Sequence, residues 1–245
     1  MSGSPLRPLI GVLGGMGPAA SVDLYAKVVA LAGARRDQDH VRLILDGDPL
    51  VPDRQAAVSG TGESAGPAIV AKALRLEAAG AEVLAMACHA AHAYQRDVEE
   101  ATRLPFVSLI EVAVAAAAHA APEARVAGLL ATPATLRARL YDEVAARAGL
   151  RLATPDDLED GRRRLMDLVW RVKAGDDGAE VRSGMAELAR ELVERGAGEI
   201  IAACTEVPLV MGPADVAVPL VDATAALAER LVALGAPASG GGSGA

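Results

Sequence analysis

The sequence predicts an α/β protein of two similar halves, each a parallel sheet flanked by helices. Short apolar runs alternate with longer helical stretches at the spacing of βαβ units. Gly80-Ala81-Glu82-Val83-Leu84-Ala85-Met86-Ala87-Cys88 also aligns without a gap on Gly196-Ala197-Gly198-Glu199-Ile200-Ile201-Ala202-Ala203-Cys204. Each run reads as a buried strand with a cysteine at its C-terminal end. The third observation is composition: 52% of the 245 residues are hydrophobic but only 2% aromatic, so aliphatic side chains must fill the core. The first half is expected over residues 1–120 and the second over 121–212. A closing segment, 213–235, is expected to return to the first half, and 236–245 has the Gly/Ser composition of a flexible tail.

Taken in order, Leu9 to Leu13 reads as a strand, and Gly14-Gly15-Met16-Gly17-Pro18 as the turn into a helix from about Ala19 to Gly33. Glycines allow close backbone approach, and free N–H groups at a helix start attract anions, so the turn is a candidate anion site. A plain strand-to-helix turn is the competing reading. Val41 to Leu45 is the second strand. The loop Pro52-Asp53-Arg54 then leads to a helix, and Arg54 is either a carboxylate anchor, through its planar fork, or the partner of Asp53 or Asp48.

Gly66 to Ala79 reads as a helix with Ala73, Leu74 and Leu76 toward the sheet. Glu82 to Ala87 brings in Cys88, Ala91 to Arg103 continues as a helix, Phe106 to Leu109 is a strand, and a helix follows around Val112 to Ala121. Arg125 to Leu130 repeats the opening strand, and a helix is expected from there through Ala148, with Thr132 or Thr135 as its cap and a hydroxyl to offer a ligand. Asp156 to Ala174 and Val181 to Arg195 read as helices. Glu199 to Ala203 delivers Cys204, Val218 to Val221 is the last strand, and Asp222 to Leu234 closes the chain.

A net charge of −8 without a basic run argues against a nucleic-acid surface or an anionic-membrane patch. No stretch is apolar for the ~20 residues of a membrane span, and no secretory signal opens the chain. The expectation is a cytoplasmic protein that meets small molecules. The four histidines show no metal-ligand spacing, so no metal is expected.

Ligands of open α/β sheets bind at the C-terminal ends of strands. Two cysteines placed there, one in each half, suggest a cleft with a thiol on each wall. A thiolate on one side of a carbon and a thiol on the other is the arrangement of a two-base racemase or epimerase. Core packing of each cysteine and a disulfide between them remain open alternatives.

Six ordered motifs between Leu9 and Leu234 together resemble the aspartate/glutamate racemase family: Gly14-Gly15-Met16-Gly17-Pro18, Pro52-Asp53-Arg54, Cys88 with His92, Leu129-Leu130-Ala131-Thr132, Val172-Lys173-Ala174-Gly175 and Ala203-Cys204-Thr205-Glu206. The resemblance implies a cofactor-independent homodimer of two α/β domains with the site between them, acting on a small carboxylate. It implies Cys88 and Cys204 as paired acid/base residues, and Arg54 and Lys173 as the holders of a side-chain carboxylate. Met16 and Gly17 are expected to line the cleft, with Pro52, Asp53, Ala91, Thr132, Thr135 and Thr205 among the substrate contacts.

The chain departs from the family where Cys88-His89-Ala90 stands in place of Cys-Asn-Thr. Two donors to the substrate α-carboxylate are thereby altered at His89 and Ala90. A protonated His89 would donate in their place; a space-filling His89 would not. Pro133-Ala134-Thr135 likewise stands where Thr-Gly-Thr is usual. The expected activity is racemisation of aspartate or a close analogue; an isomerase or decarboxylase of another carboxylic acid and a non-catalytic binding relative are the alternatives.

Overall fold

The computed structural model describes residues 7–235; the expected tail, 236–245, lies outside them. Two four-stranded sheets form. The first contains β1 (Ile10–Leu13), β2 (Leu43–Asp46), β3 (Val83–Met86) and β4 (Phe106–Val107) in the order β2-β1-β3-β4. The second contains β5 (Val126–Leu129), β6 (Arg151–Ala153), β7 (Glu199–Ala202) and β8 (Leu220–Asp222) in the order β6-β5-β7-β8. Every pairing is parallel. The cysteine-bearing strands β3 and β7 therefore occupy the same place in two copies of one topology.

The duplication extends to packing. Between strands run α1 (Pro18–Leu31), α2 (Arg54–Ser59), α3 (Gly66–Ala78), α4 (Gln95–Ala101) and α5 (Leu109–Ala120) in the first half. The second half carries α6 (Pro133–Arg137), α7 (Asp142–Arg147), α8 (Gly161–Lys173), α9 (Ala179–Glu194) and α10 (Ala223–Gly235). A Cβ added to Gly11 in β1 would stand 3.1 Å from Leu76 Cβ of α3, and one added to Gly128 in β5 would stand 3.2 Å from Leu192 Cβ of α9. Glycine at both places lets a helix lie directly on its central strand.

One apolar cluster joins the halves: Ile10, Val12, Leu24 and Val28 meet Ala113, Val114 and Ala117 of α5 and Ile201, Val221, Leu227 and Leu231 from the second sheet and α10. The alanines of α5 keep the layers close where larger side chains would force them apart. Lys27 of α1 adds a 2.6 Å ion pair to Asp222 at the end of β8.

Several elements differ from their sequence reading. The helix expected through Ala148 breaks into α6 and α7, because Arg139 adopts a left-handed φ of 54°. The break turns Tyr141 into the interior, where it is 1% exposed. Strand β6 lacks a sequence signal: only three residues long, it begins with exposed Arg151. The helix expected from Asp156 starts at Gly161, after a 3-10 turn over Pro155–Asp157 that Thr154 caps. Leu74, expected against the sheet, is exposed, whereas Ala73 and Leu76 are buried. The closing segment divides: β8 pairs with β7 in the second sheet instead of joining the first, and α10 packs on α1 and α5.

Candidate active site

In both sheets the strand order reverses between the two central strands, so the loops after them leave on opposite sides and open a crevice. The loop after β1 carries Met16 and the loop after β3 carries Cys88 and His89; their counterparts after β5 and β7 carry Thr132 and Cys204. The two crevices face each other and merge into one cleft lined by residues of both halves. Both cysteines line it, from opposite halves, and both are free thiols.

The surroundings of the thiols are unequal. Burial pushes the Cys88 thiol up from its ordinary pKa of 9.0, the Arg54 charge pulls against this, the Ala91 N–H also lowers it, the Glu206 carboxylate raises it, and Lys173 lowers it. Cys204 is pushed well above its ordinary value by burial and by the adjacent Glu206 carboxylate. The Cys204 S–H donates to Glu206 Oε2 at 3.0 Å. Cys204 is thus held as a thiol, whereas a cation opposes the burial of Cys88.

Arg54 is the cation without an acid. Nη1 donates to the carbonyls of Val51 and Pro52, each at 3.0 Å, and Nη2 to that of Met16 at 3.4 Å. Among the described residues it makes no ion pair, and its buried Nε has no partner. The expected alternative, a pairing with Asp53 or Asp48, does not form. Asp53 caps α2 by accepting from the Ala56 N–H at 2.8 Å, and Asp48 lies 3.4 Å from Arg75. Lys173 is engaged instead with Glu206.

His89 lines the cleft with both ring nitrogens buried and unpartnered. Its ring stacks on Tyr141 from the second half, with centroids 6.1 Å apart and planes 24° from parallel. Burial, reinforced by the His92 ring, pulls its pKa from 6.5 to about 3. Burial thus keeps the imidazole neutral, which favours the space-filling reading of His89 over the protonated donor, the two readings the sequence left open. His92 has a fixed tautomer: Leu109 N–H donates to Nε2 at 3.1 Å, so Nδ1–H donates to the Cys88 carbonyl at 2.8 Å. It ties the Cys88 turn to the start of α5.

Of the other expected contacts, Met16, Asp53, Ala90, Thr132 and Thr205 line the cleft, whereas Gly17, Pro52, Ala91 and Thr135 do not. Ala91 and Thr135 are packed behind the wall, Pro52 contributes the carbonyl that holds Arg54, and a Cβ on Gly17 would stand 3.2 Å from both Lys173 Nζ and Glu206 Oε1. The candidate anion turn uses its own donors: Gly14 N–H goes to the Asp46 carbonyl at 3.0 Å and Gly15 N–H to Ser21 Oγ at 2.8 Å. Sequence reasoning assigned no role to Gln55, Glu206, Met166, Val169 or Trp170, all of which line the cleft. Only Glu206 carried a signal, a carboxylate two positions after a thiol.

Two parallel sheets of one topology that direct a thiol from each half into a shared cleft define a two-domain α/β protein. The family model for Asp/Glu/Hydantoin racemase matches residues 13–231, and the chain belongs to that family. It is 25% identical to the broad specificity amino-acid racemase RacX of Bacillus subtilis, over 91% of this chain and 96% of that protein. A glutamate racemase of Pseudomonas paraeruginosa is 34% identical over 62% of this chain and 57% of its own length. Among solved structures, the aspartate racemase of Picrophilus torridus superposes with a TM-score of 0.82 at 27% identity, covering 94% of this chain and 95% of that one.

Proposed function

We propose that the protein racemises an acidic amino acid, aspartate or a close analogue, by two-base proton transfer between Cys88 and Cys204. What carries this reading is the convergence of both free thiols and the unpaired Arg54 on one cleft. The Cys88 thiolate removes the α-proton, the electron pair passes toward the carboxylate, and the Cys204 S–H returns a proton to the opposite face. The product leaves the protons exchanged between the sulfurs, so the next turnover of the opposite enantiomer restores the start. Arg54, a guanidinium with no acidic partner among the described residues, holds the side-chain carboxylate, Lys173 restrains the charge of Glu206, and no cofactor enters the scheme.

A second reading has an observation of its own. With Lys173 engaged by Glu206, the apolar side chains of Met166, Val169 and Trp170 on the same wall suit non-acidic amino acids, as the similarity to a broad-specificity racemase would suggest.

A panel of chiral amino acids incubated in D₂O and followed by NMR separates the two. Aspartate or glutamate should gain α-deuterium in both enantiomers. Arg54→Leu should lower kcat/KM for that acid by roughly ten- to a hundredfold, the value of a lost charge-assisted hydrogen bond, and lower the turnover of neutral amino acids less, through the loss of the charge that favours the Cys88 thiolate alone. Exchange confined to neutral amino acids favours the second reading, and no exchange with any member of the panel removes both.

A further inference from the structure

The two halves are joined across the cleft by one side-chain amide. Gln55 follows Arg54 in α2, and its Nε2 donates to Thr132 Oγ1 at 2.9 Å, while its Oε1 accepts from the Ala134 N–H at 2.9 Å. These partners stand 77 and 79 positions away in sequence, in the other half. Thr132 is the N-cap residue of α6, but its side chain makes no capping bond; the hydroxyl is turned toward Gln55 and lies 3.3 Å from Thr135 Oγ1. The Ala134 N–H, within the first turn, has no acceptor inside its own helix. A side chain from the opposite wall performs the capping that Thr132 does not.

We propose that Gln55 is a positioning residue, a clasp that caps α6 from across the cleft and holds the two thiol-bearing walls at their working separation. The amide suits this role because it offers one donor and one acceptor side by side, matched here by a hydroxyl oxygen and an N–H at equal distances; turning the amide over would set its NH₂ against the Ala134 N–H and lose that bond. The clasp sits beside Arg54 on the same short helix. Closing the clasp therefore also fixes the height of the guanidinium over the cleft. The consequence for binding rests on the racemase reading: a protein that spends less time closed binds its substrate more weakly in proportion to the lost closed fraction, while the fully bound complex reacts as before.

The Ala134 amide reports the clasp directly, because only Gln55 protects it. Hydrogen exchange on the whole chain should show that amide protected in the wild type and exchanging at least about tenfold faster in Gln55→Met, with the amides of β5 unchanged. Gln55→Glu retains an acceptor and should restore protection. Equal exchange at Ala134 in the wild type and Gln55→Met overturns the clasp, as does a general rise in exchange across the second sheet, which would mark Gln55 as ordinary packing. In the turnover assay, Gln55→Met should raise KM roughly tenfold or more, up to about thirtyfold for two neutral hydrogen bonds, with kcat within about threefold. A fall in kcat at constant KM contradicts the closure role. If no amino acid turns over, the racemase reading fails by itself, and exchange at Ala134 still decides the clasp.

Discussion

Cys88→Ser and Cys204→Ser should each lower racemisation by about a thousandfold or more, within the range lost when a general acid or base is removed. A serine hydroxyl is far less acidic than a thiol, so it can neither become the base on one face nor deliver a proton efficiently on the other. The two variants should fail differently. With one thiol left, a proton can still be removed and returned on the same face, giving slow α-deuterium exchange with retention for a single enantiomer. Cys88→Ser should keep that exchange for one enantiomer and Cys204→Ser for its mirror image. If either variant racemises at wild-type rate, the two-base scheme is wrong; if both exchange the same enantiomer, the thiols do not face opposite sides of the substrate.

The unequal surroundings of the thiols add a pH dependence to the wild type. Both are pushed above the ordinary thiol range in the free protein, so the thiolate needed to begin turnover becomes more abundant as pH rises. The value of kcat/KM should climb with pH from 7 toward 9, by up to about tenfold per unit. Glu206 accentuates the asymmetry by keeping Cys204 protonated. Replacing it by Gln removes the charge opposing the Cys204 thiolate and should shift the rise to lower pH.

How much of this was legible in the sequence depended on whether the signal was local. The repeated Gly-Ala turn, apolar run and cysteine identified β3 and β7 and placed the thiols at strand ends, because burial on both faces of a parallel sheet writes itself into contiguous apolar residues. Strand β6 left no such trace, since it borrows its pairing from β5 at an exposed edge. The α6–α7 break was equally hidden. The left-handed residue there is arginine, not glycine. In the site, Arg54 could be read from the proline-led turn before it, but Gln55 could not, for its partners lie in the other half. His89 was visible as a departure; its neutrality was not, because it follows from burial against Tyr141 and His92.

That burial makes acid the expected weakness of the fold. His89 and His92 have pKa values pulled from 6.5 to about 3 and about 4. Both are therefore neutral in the folded protein at pH values where the unfolded chain has already taken up their protons. Their contribution to stability is present in full above about pH 6.5 and is lost as pH falls toward the folded values. Each costs about 1.4 kcal/mol per pH unit in that window, so between pH 6.5 and 4.5 the pair removes roughly 5 kcal/mol, comparable to the whole stability of many domains.

The carboxylates held below their ordinary range, Asp39, Asp46, Asp176, Glu180, Glu191 and Asp215, act only nearer pH 4, where the unfolded chain begins to bind their protons. Glu199, buried without a hydrogen-bond partner and raised in pKa, works in the opposite sense: it takes its proton earlier in the folded state, which softens the loss. Urea unfolding followed from pH 8 to 4.5 should show stability flat above 7 and falling by up to two protons' worth below 6.5. His89→Asn should remove about one proton from that slope while preserving the His92 bonds to Cys88 and Leu109. A stability that stays level down to pH 5 would mean that the two rings are not buried neutral, and the packing of Tyr141 over the cleft floor would need to be redrawn.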